Sequence, residues 1–263
     1  MYTRQDHSFG VLMYHRVTPG IAGAPEPTWN VAPERFRRQL EGLLSRGYRP
    51  WPLRRAIASR RAGEPIPRRT FVVTFDDGYE NVYRNAWPIL KELSVPATVF
   101  LVTAYLDSDR PFAFDDWALA GSGHVPAEAW KPLSTAQCAE MARDGLVEIG
   151  SHTHTHADFR GHPEAFSWDL TRSLEVLGDA LGLEHVAFAF PFGRFDEDLI
   201  AAARASGVLC ALTAQQELVP PQANPFTWGR LCVRGGDTAA GLAWKLSGWY
   251  TALRGIWQCL RSL

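Results

Sequence analysis

Two short stretches of the chain carry residue types that could do hydrolytic chemistry. Thr74-Phe75-Asp76-Asp77-Gly78 sets two adjacent carboxylates ahead of a glycine, and Ser151-His152-Thr153-His154-Thr155-His156 alternates three imidazoles with hydroxyls. Adjacent side chains at a strand end point in different directions, so one carboxylate can ligate a metal while the other faces a water. His152 and His156 are four apart, close enough to reach a single ion. His154 would point elsewhere on a helix and would share their face on a strand. Asp77, His152 and His156 together form a one-carboxylate, two-imidazole set that leaves a coordination position open, as catalytic zinc sites do. Such donors suit one divalent ion, zinc first and cobalt or nickel next, and water bound there is acidified towards neutrality. Each feature also has a plainer reading: an Asp-Gly pair alone is a turn with a solvated acid, and a lone histidine is more often structural.

These residues need a scaffold that brings distant stretches to one place. Short apolar runs at 10–14, 70–75, 97–102, 146–149, 186–190, 208–212 and 231–233 read as buried strands. Helical patterns at 33–45, 52–61, 81–93, 134–144, 164–181 and 196–206 lie between most of them. This alternation predicts a parallel sheet with helices outside it, and seven such units would curl into an α/β barrel whose catalytic groups sit at the C-terminal strand ends. Asp76-Asp77, the histidine stretch and Phe190-Pro191-Phe192-Gly193 all fall at such ends. The aperiodic segment 107–133 is long enough to be a functional loop, and its aromatic content favours a lid.

Composition narrows the function classes. A net charge of -1 on 263 residues, with no long basic track, argues against nucleic acid as a partner. Ten tryptophans fit a core, and they also fit a cleft that stacks on sugar rings. Four separated cysteines suggest reduced thiols, and the first apolar run is too short for a signal-peptide core. Both point to the cytoplasm. No window has the length of apolar residues that a spanning helix needs.

The two polar motifs, in sequence, order and separation, resemble those of the polysaccharide deacetylase family. The resemblance runs from about residue 11 to 233 and implies a distorted (β/α)7-type barrel in a catalytic domain at 1–237. The implied activity is metal-dependent hydrolysis of N-acetyl or other acyl groups on an amino-sugar glycan or glycan precursor. It makes Asp76 the general base, Asp77, His152 and His156 the metal ligands, and the Phe192 main-chain N–H the oxyanion donor. Tyr79, Trp117 and Pro191 are candidate substrate contacts. Two departures stand out. The family's Arg-x-Pro-x-Gly motif is here Ala189-Phe190-Pro191-Phe192-Gly193, so the arginine that orients the base must come from elsewhere, with Arg230 and Arg234 as candidates. No histidine follows His185, yet Leu12-Met13-Tyr14-His15-Arg16-Val17 resembles the N-terminal motif of the circularly permuted, poly-N-acetylglucosamine-deacetylase-like branch. That resemblance makes His15 the acid that protonates the leaving nitrogen; a histidine that merely caps the first strand is the other reading.

Residues 238–263 contain no acid and interleave Lys245, Arg254 and Arg261 with Trp and Leu. They read as a final helix, either packed on the barrel or lying at a membrane interface on the inner face. Two other functions stay open beside glycan deacetylation: a non-catalytic glycan-binding relative, which the missing arginine favours, and an amidase acting on a non-sugar substrate. Retention of Asp76 speaks against the former. Oligomeric state is not legible.

Overall fold

A computed structural model describes residues 6–24, 26–115, 117 and 125–248. Eight parallel strands form one curled sheet: β1 (Gly10–Tyr14), β2 (Arg49–Pro50), β3 (Thr70–Phe75), β4 (Ala97–Leu101), β5 (Val147–Ser151), β6 (Phe188–Ala189), β7 (Ala211–Leu212) and β8 (Leu231–Cys232). Their order is β7-β6-β5-β4-β3-β1-β8. The short β2 pairs with the start of β3 at Thr70 and Phe71, and β4 takes over from Val73 onward. The curl is completed by the chain running into β8: Leu212 bridges Trp228, and Thr213 N–H donates to the Trp228 carbonyl.

Period-two alternation divides the strand side chains between two cores. Outward residues such as Leu12, Tyr14, Val73, Phe75, Val99 and Ile149 pack beneath helices α1 (Pro33–Ser45), α3 (Trp87–Leu93) and α4 (Thr135–Arg143). Outward Phe188 and Phe190 pack beneath α5 (Pro163–Leu181) and α6 (Glu197–Ala205). Inward Val11, Val72, Phe100, Ala189 and Leu212 fill the barrel.

Helix α2 (Leu53–Ala62) departs from the expectation that every helix lies outside the sheet. Its Leu53, Ala56 and Ile57 join the inward core. Its two ends are tied across the barrel floor, with Arg54 N–H donating to Glu148 in β5 and Arg61 donating to the Leu209 carbonyl ahead of β7. α2 therefore plugs the N-terminal end of the barrel. The cause is the shortness of β2, which ends after two residues and never carries the chain up the barrel wall.

The expected helix at 81–93 is interrupted by a π-helical turn at Val82–Ala86 before α3 begins at Trp87. At the far end Thr238 caps α7 (Ala239–Leu246), whose Leu242 and Leu246 are buried in the core that also holds α1. The rest of the expected tail helix, 249–263, lies outside the described residues, as do 116 and 118–124 of the 107–133 loop. Among the described residues no helix is long and apolar enough to cross a membrane.

Candidate active site

Asp76 and Asp77 follow directly on β3, in the middle of the sheet. Asp77 takes φ 72° and Gly78 φ 88°, a turn that sends the two carboxylates apart. The peptide is held by Asp76 N–H on the Tyr14 carbonyl and by Val102 N–H on the Asp77 carbonyl. His152 starts the loop after β5. Its backbone N–H bonds the Leu101 carbonyl, and its Nδ1 lies 2.7 Å from the Ala189 carbonyl. A donor at Nδ1 leaves the Nε2 lone pair facing the site, the arrangement usual for metal-binding imidazoles. Four of the seven described non-glycine residues with positive φ are Asp77, Thr153, His156 and Phe192. Backbone conformations of this kind cost energy and gather at functional sites.

Asp77, His152 and His156 converge as expected, with ligand atoms of all three within 4.8 Å of one another. Asp77 Oδ1 is 3.6 Å from His152 Nε2 and 3.5 Å from His156 Nε2. Donors on a tetrahedral ion at about 2.0–2.1 Å would sit roughly 3.3 Å apart, so the cluster fits a metal with little adjustment. The electrostatics agree. Burial lowers the proton affinity of both imidazoles, that of His156 to about 2, which keeps them neutral and able to ligate. Burial and then the charge of Asp76 push Asp77 well above the carboxylate range; a cation in place of the proton would relieve both. His154 turns away, its Nδ1 2.9 Å from Thr103 Oγ1.

Asp76 is gripped at two points: Arg230 Nη1 lies 2.6 Å from Oδ1 and Nη2 2.8 Å from Oδ2, with both residues buried. Burial alone would raise this carboxyl. Arg230 first, then His152 and His15, outweigh it and hold the group well below its usual range. Of the two candidate arginines, then, Arg230 is the one on Asp76. Arg234 is exposed, with its guanidinium 5.5 Å from the Trp29 ring centre.

His15 follows β1 and stacks on Trp29 at 5.1 Å and 17°. Its Nδ1 has no hydrogen-bond partner among the described residues. Burial lowers its pKa to about 4, against the pull of Asp76. Pro191–Gly193 form a tight turn bonded through Gly193 N–H to Phe190 and Arg194 N–H to Pro191, which leaves the Phe192 N–H outside the turn's own hydrogen bonds. The Phe192 ring is half exposed and packs on His156, whose other side meets Phe114 at 3.9 Å. These groups line a cleft of about 310 Å³.

Two expected substrate contacts need correction. Trp117 is buried, its ring 5.0 Å from the Arg16 guanidinium, and it does not line the cleft. Pro191 is buried too and serves the turn. Tyr79 does line the cleft, but it is 2 % exposed and its hydroxyl accepts from Arg16. Sequence reading missed three parts of the site. Arg16 donates to both Tyr79 and Asp115 and so ties the 107–115 segment to β1. Phe114 and Trp29 form the aromatic walls. Asp169 on α5 accepts from His154 N–H, Thr155 N–H and Thr155 Oγ1, and holds the loop between His152 and His156. The only signal for any of these was the position of Arg16 beside His15.

A curled parallel barrel with a carboxylate pair and two histidines at its C-terminal rim defines a hydrolase site whose donors would fit a divalent ion. Residues 63–211 match the polysaccharide deacetylase family model, and the chain belongs to that family. Among curated proteins it is similar to the poly-β-1,6-N-acetyl-D-glucosamine N-deacetylase of Staphylococcus epidermidis, at 28% identity over 84% of this chain and 78% of that one. The enzyme of the same name from Staphylococcus aureus strain MRSA252 is 24% identical over 87% and 80%. Among solved structures, IcaB from Ammonifex degensii aligns with a TM-score of 0.76 at 26% identity, covering 92% of this chain and 98% of that one. The Streptococcus pyogenes deacetylase PplD has the same fold, with a TM-score of 0.76 at 20% identity over 91% and 98%.

Proposed function

We propose that this enzyme removes N-acetyl groups from a β-1,6-linked N-acetylglucosamine chain, with Asp77, His152 and His156 holding one divalent ion. The observation that carries the reading is the two-point Arg230–Asp76 pair beside the Asp77–His152–His156 cluster. It returns an arginine to the base from a new place in the chain, which removes the reason to favour a non-catalytic relative. The substrate class rests on the curated relatives, which match more than four-fifths of this chain. A cleft of about 310 Å³ is at the small end of ligand pockets, which suits one acylated sugar residue inside and its neighbours across the rim.

Bound at the three ligands, the ion supplies Lewis acidity towards an acyl carbonyl and towards water. The chain's own residues do the rest. Asp76, oriented by Arg230, takes a proton as the water oxygen attacks the acyl carbon. The Phe192 N–H donates to the oxygen on which negative charge develops. With a pKa of about 4, His15 is uncharged when substrate arrives. The growing negative charge raises its proton affinity, so it takes over the proton that Asp76 removed from water and passes it to the nitrogen as the C–N bond breaks. The products are the free amine and acetate. Phe114, Phe192 and Trp29 wall the cleft.

Acetate release from acetylated β-1,6-glucosamine oligomers tests the reading, with β-1,4-linked oligomers and a simple N-acetyl amine for comparison. Wild type should prefer the β-1,6 series, and Asp76→Asn should bind metal normally without turnover. A metal-loaded wild type that releases no acetate from any sugar would refute the proposal.

A further inference from the structure

The barrel end opposite the cleft carries a second feature that catalysis does not use. Residues 46–69 contain eight of the chain's 27 lysines and arginines, against Glu64 as the only acid. They run from the end of α1 through the plug helix α2 to the start of β3. Arg54 pairs with Glu148 and Arg60 with Asp6. Arg46, Arg61 and Arg69 reach only main-chain carbonyls. Arg49, Arg55 and Arg68 are exposed and form no ion pair among the described residues; they line a groove of about 900 Å³ with Trp51, over which Arg55 stacks at 4.0 Å, and with Glu64, which leaves the groove with an excess of positive charge. Among the described residues, six guanidiniums without a carboxylate partner thus share one end of a protein whose net charge is -1. From Thr70 to Phe75, β3 spans roughly 17 Å, so this face looks away from Asp76.

A second observation concerns the path of the chain. Helix α7 descends from the mouth end, and Leu246 lies against Gly10, the first residue of β1. Gly10 is three residues from His7, which lines the arginine groove, a separation of at most about 11 Å. The last described residues, up to Gly248, therefore lie toward the arginine-bearing end. The sequence that follows has no acid and contains Trp249, Tyr250, Leu253, Arg254, Trp257, Leu260 and Arg261.

We propose that the N-terminal end of the barrel docks on an anionic phospholipid surface, with the catalytic mouth facing away from it. Spread guanidiniums match a field of phosphate headgroups better than a single phosphate, since the six span from the end of α1 to the base of β7. The sequence that follows Gly248 carries the aromatic, leucine and basic residue types that suit a headgroup boundary, whereas a soluble polyanion would engage the charges alone.

The test is sedimentation of the full chain with phosphatidylcholine vesicles, alone or mixed with phosphatidylglycerol. Wild type should bind the mixed vesicles only, and salt should weaken binding. Arg49→Ala, Arg55→Ala and Arg68→Ala together should lower partition by about 5-fold per arginine, roughly 100-fold in all. The matching triple lysine variant should keep most of the binding, because a surface potential needs charge and not guanidinium geometry. Unchanged thermal unfolding of both variants controls for folding. Equal binding of wild type to pure phosphatidylcholine overturns the proposal, and so does wild-type partition by the alanine variant. Loss in the lysine variant as large as in the alanine one, or binding to soluble polyphosphate without binding to vesicles, also overturns it by pointing to a discrete phosphate site.

Discussion

Arg230 and Asp76, 154 residues apart, meet as a fork on a carboxylate with both side chains buried, at 2.6 and 2.8 Å. Arg230 is fixed in turn through its Nε, which donates to the Thr213 carbonyl. Its guanidinium therefore has one orientation, and the carboxylate takes its own from it. Removing one partner of a buried pair leaves the other charge unpaired and costs roughly 3–5 kcal/mol. Arg230→Ala should lose about that much in denaturant unfolding, and Arg230→Ala with Asp76→Ala should recover part of it. Arg230→Lys keeps the charge but cannot grip both oxygens. It should lower kcat about 10-fold or more with little change in KM, as expected for a base held at the wrong angle.

His15 links stability to pH. Its folded pKa is about 4 against an ordinary 6.5, so between those values the unfolded chain binds the proton and the folded one does not. Stability from this group is complete above about 6.5 and falls as pH drops towards 4. Metal-free His15→Gln should show a shallower decline in urea midpoint across that window than wild type. If the two slopes coincide, His15 is not held neutral in the fold. The same variant should slow acetate release without altering metal affinity.

Asp169 never faces the cleft, yet three of its bonds shape the loop between His152 and His156. Asp169→Ala frees two main-chain N–H groups and removes the support for positive φ at Thr153 and His156. Groups that orient metal ligands typically matter about 10–100-fold in affinity. Titration of the metal-free variant with zinc should show a loss of that size. Affinity equal to wild type would mean the loop holds its shape unaided.

The buried Arg16–Asp115 pair, at 2.7 Å, places Phe114 against His156. Asp115→Asn should loosen this wall and raise KM several-fold more than it changes kcat. The same change removes none of the three ligands and should alter zinc affinity less than it alters KM.

Much of the architecture was legible because strand burial leaves a local signature. The runs at 10–14 and 70–75 and the helix at 33–45 coincide with β1, β3 and α1 to the residue. β6 and β7 are shorter than the apolar runs that contain them, since hydrophobicity marks burial and not ladder pairing. β2 was invisible at two residues. The π-helical turn before α3 carries the same apolar spacing as the helix it interrupts.

The sequence by itself determined the donor types: two adjacent carboxylates and two histidines four apart. These are local patterns, and spacing along the chain is enough to reveal them; the part given to His15 came only from the resemblance of its motif to the permuted branch. Tertiary structure alone decided that Arg230 and not Arg234 grips Asp76, that Trp117 is buried against Arg16 and away from the cleft, and that α2 plugs the barrel with its arginines outward. Each of those depends on which face of a strand or helix meets a partner far away in the chain. A one-residue step from Arg230 would turn a side chain from the barrel interior to its outside, and no local pattern records where the partner will be.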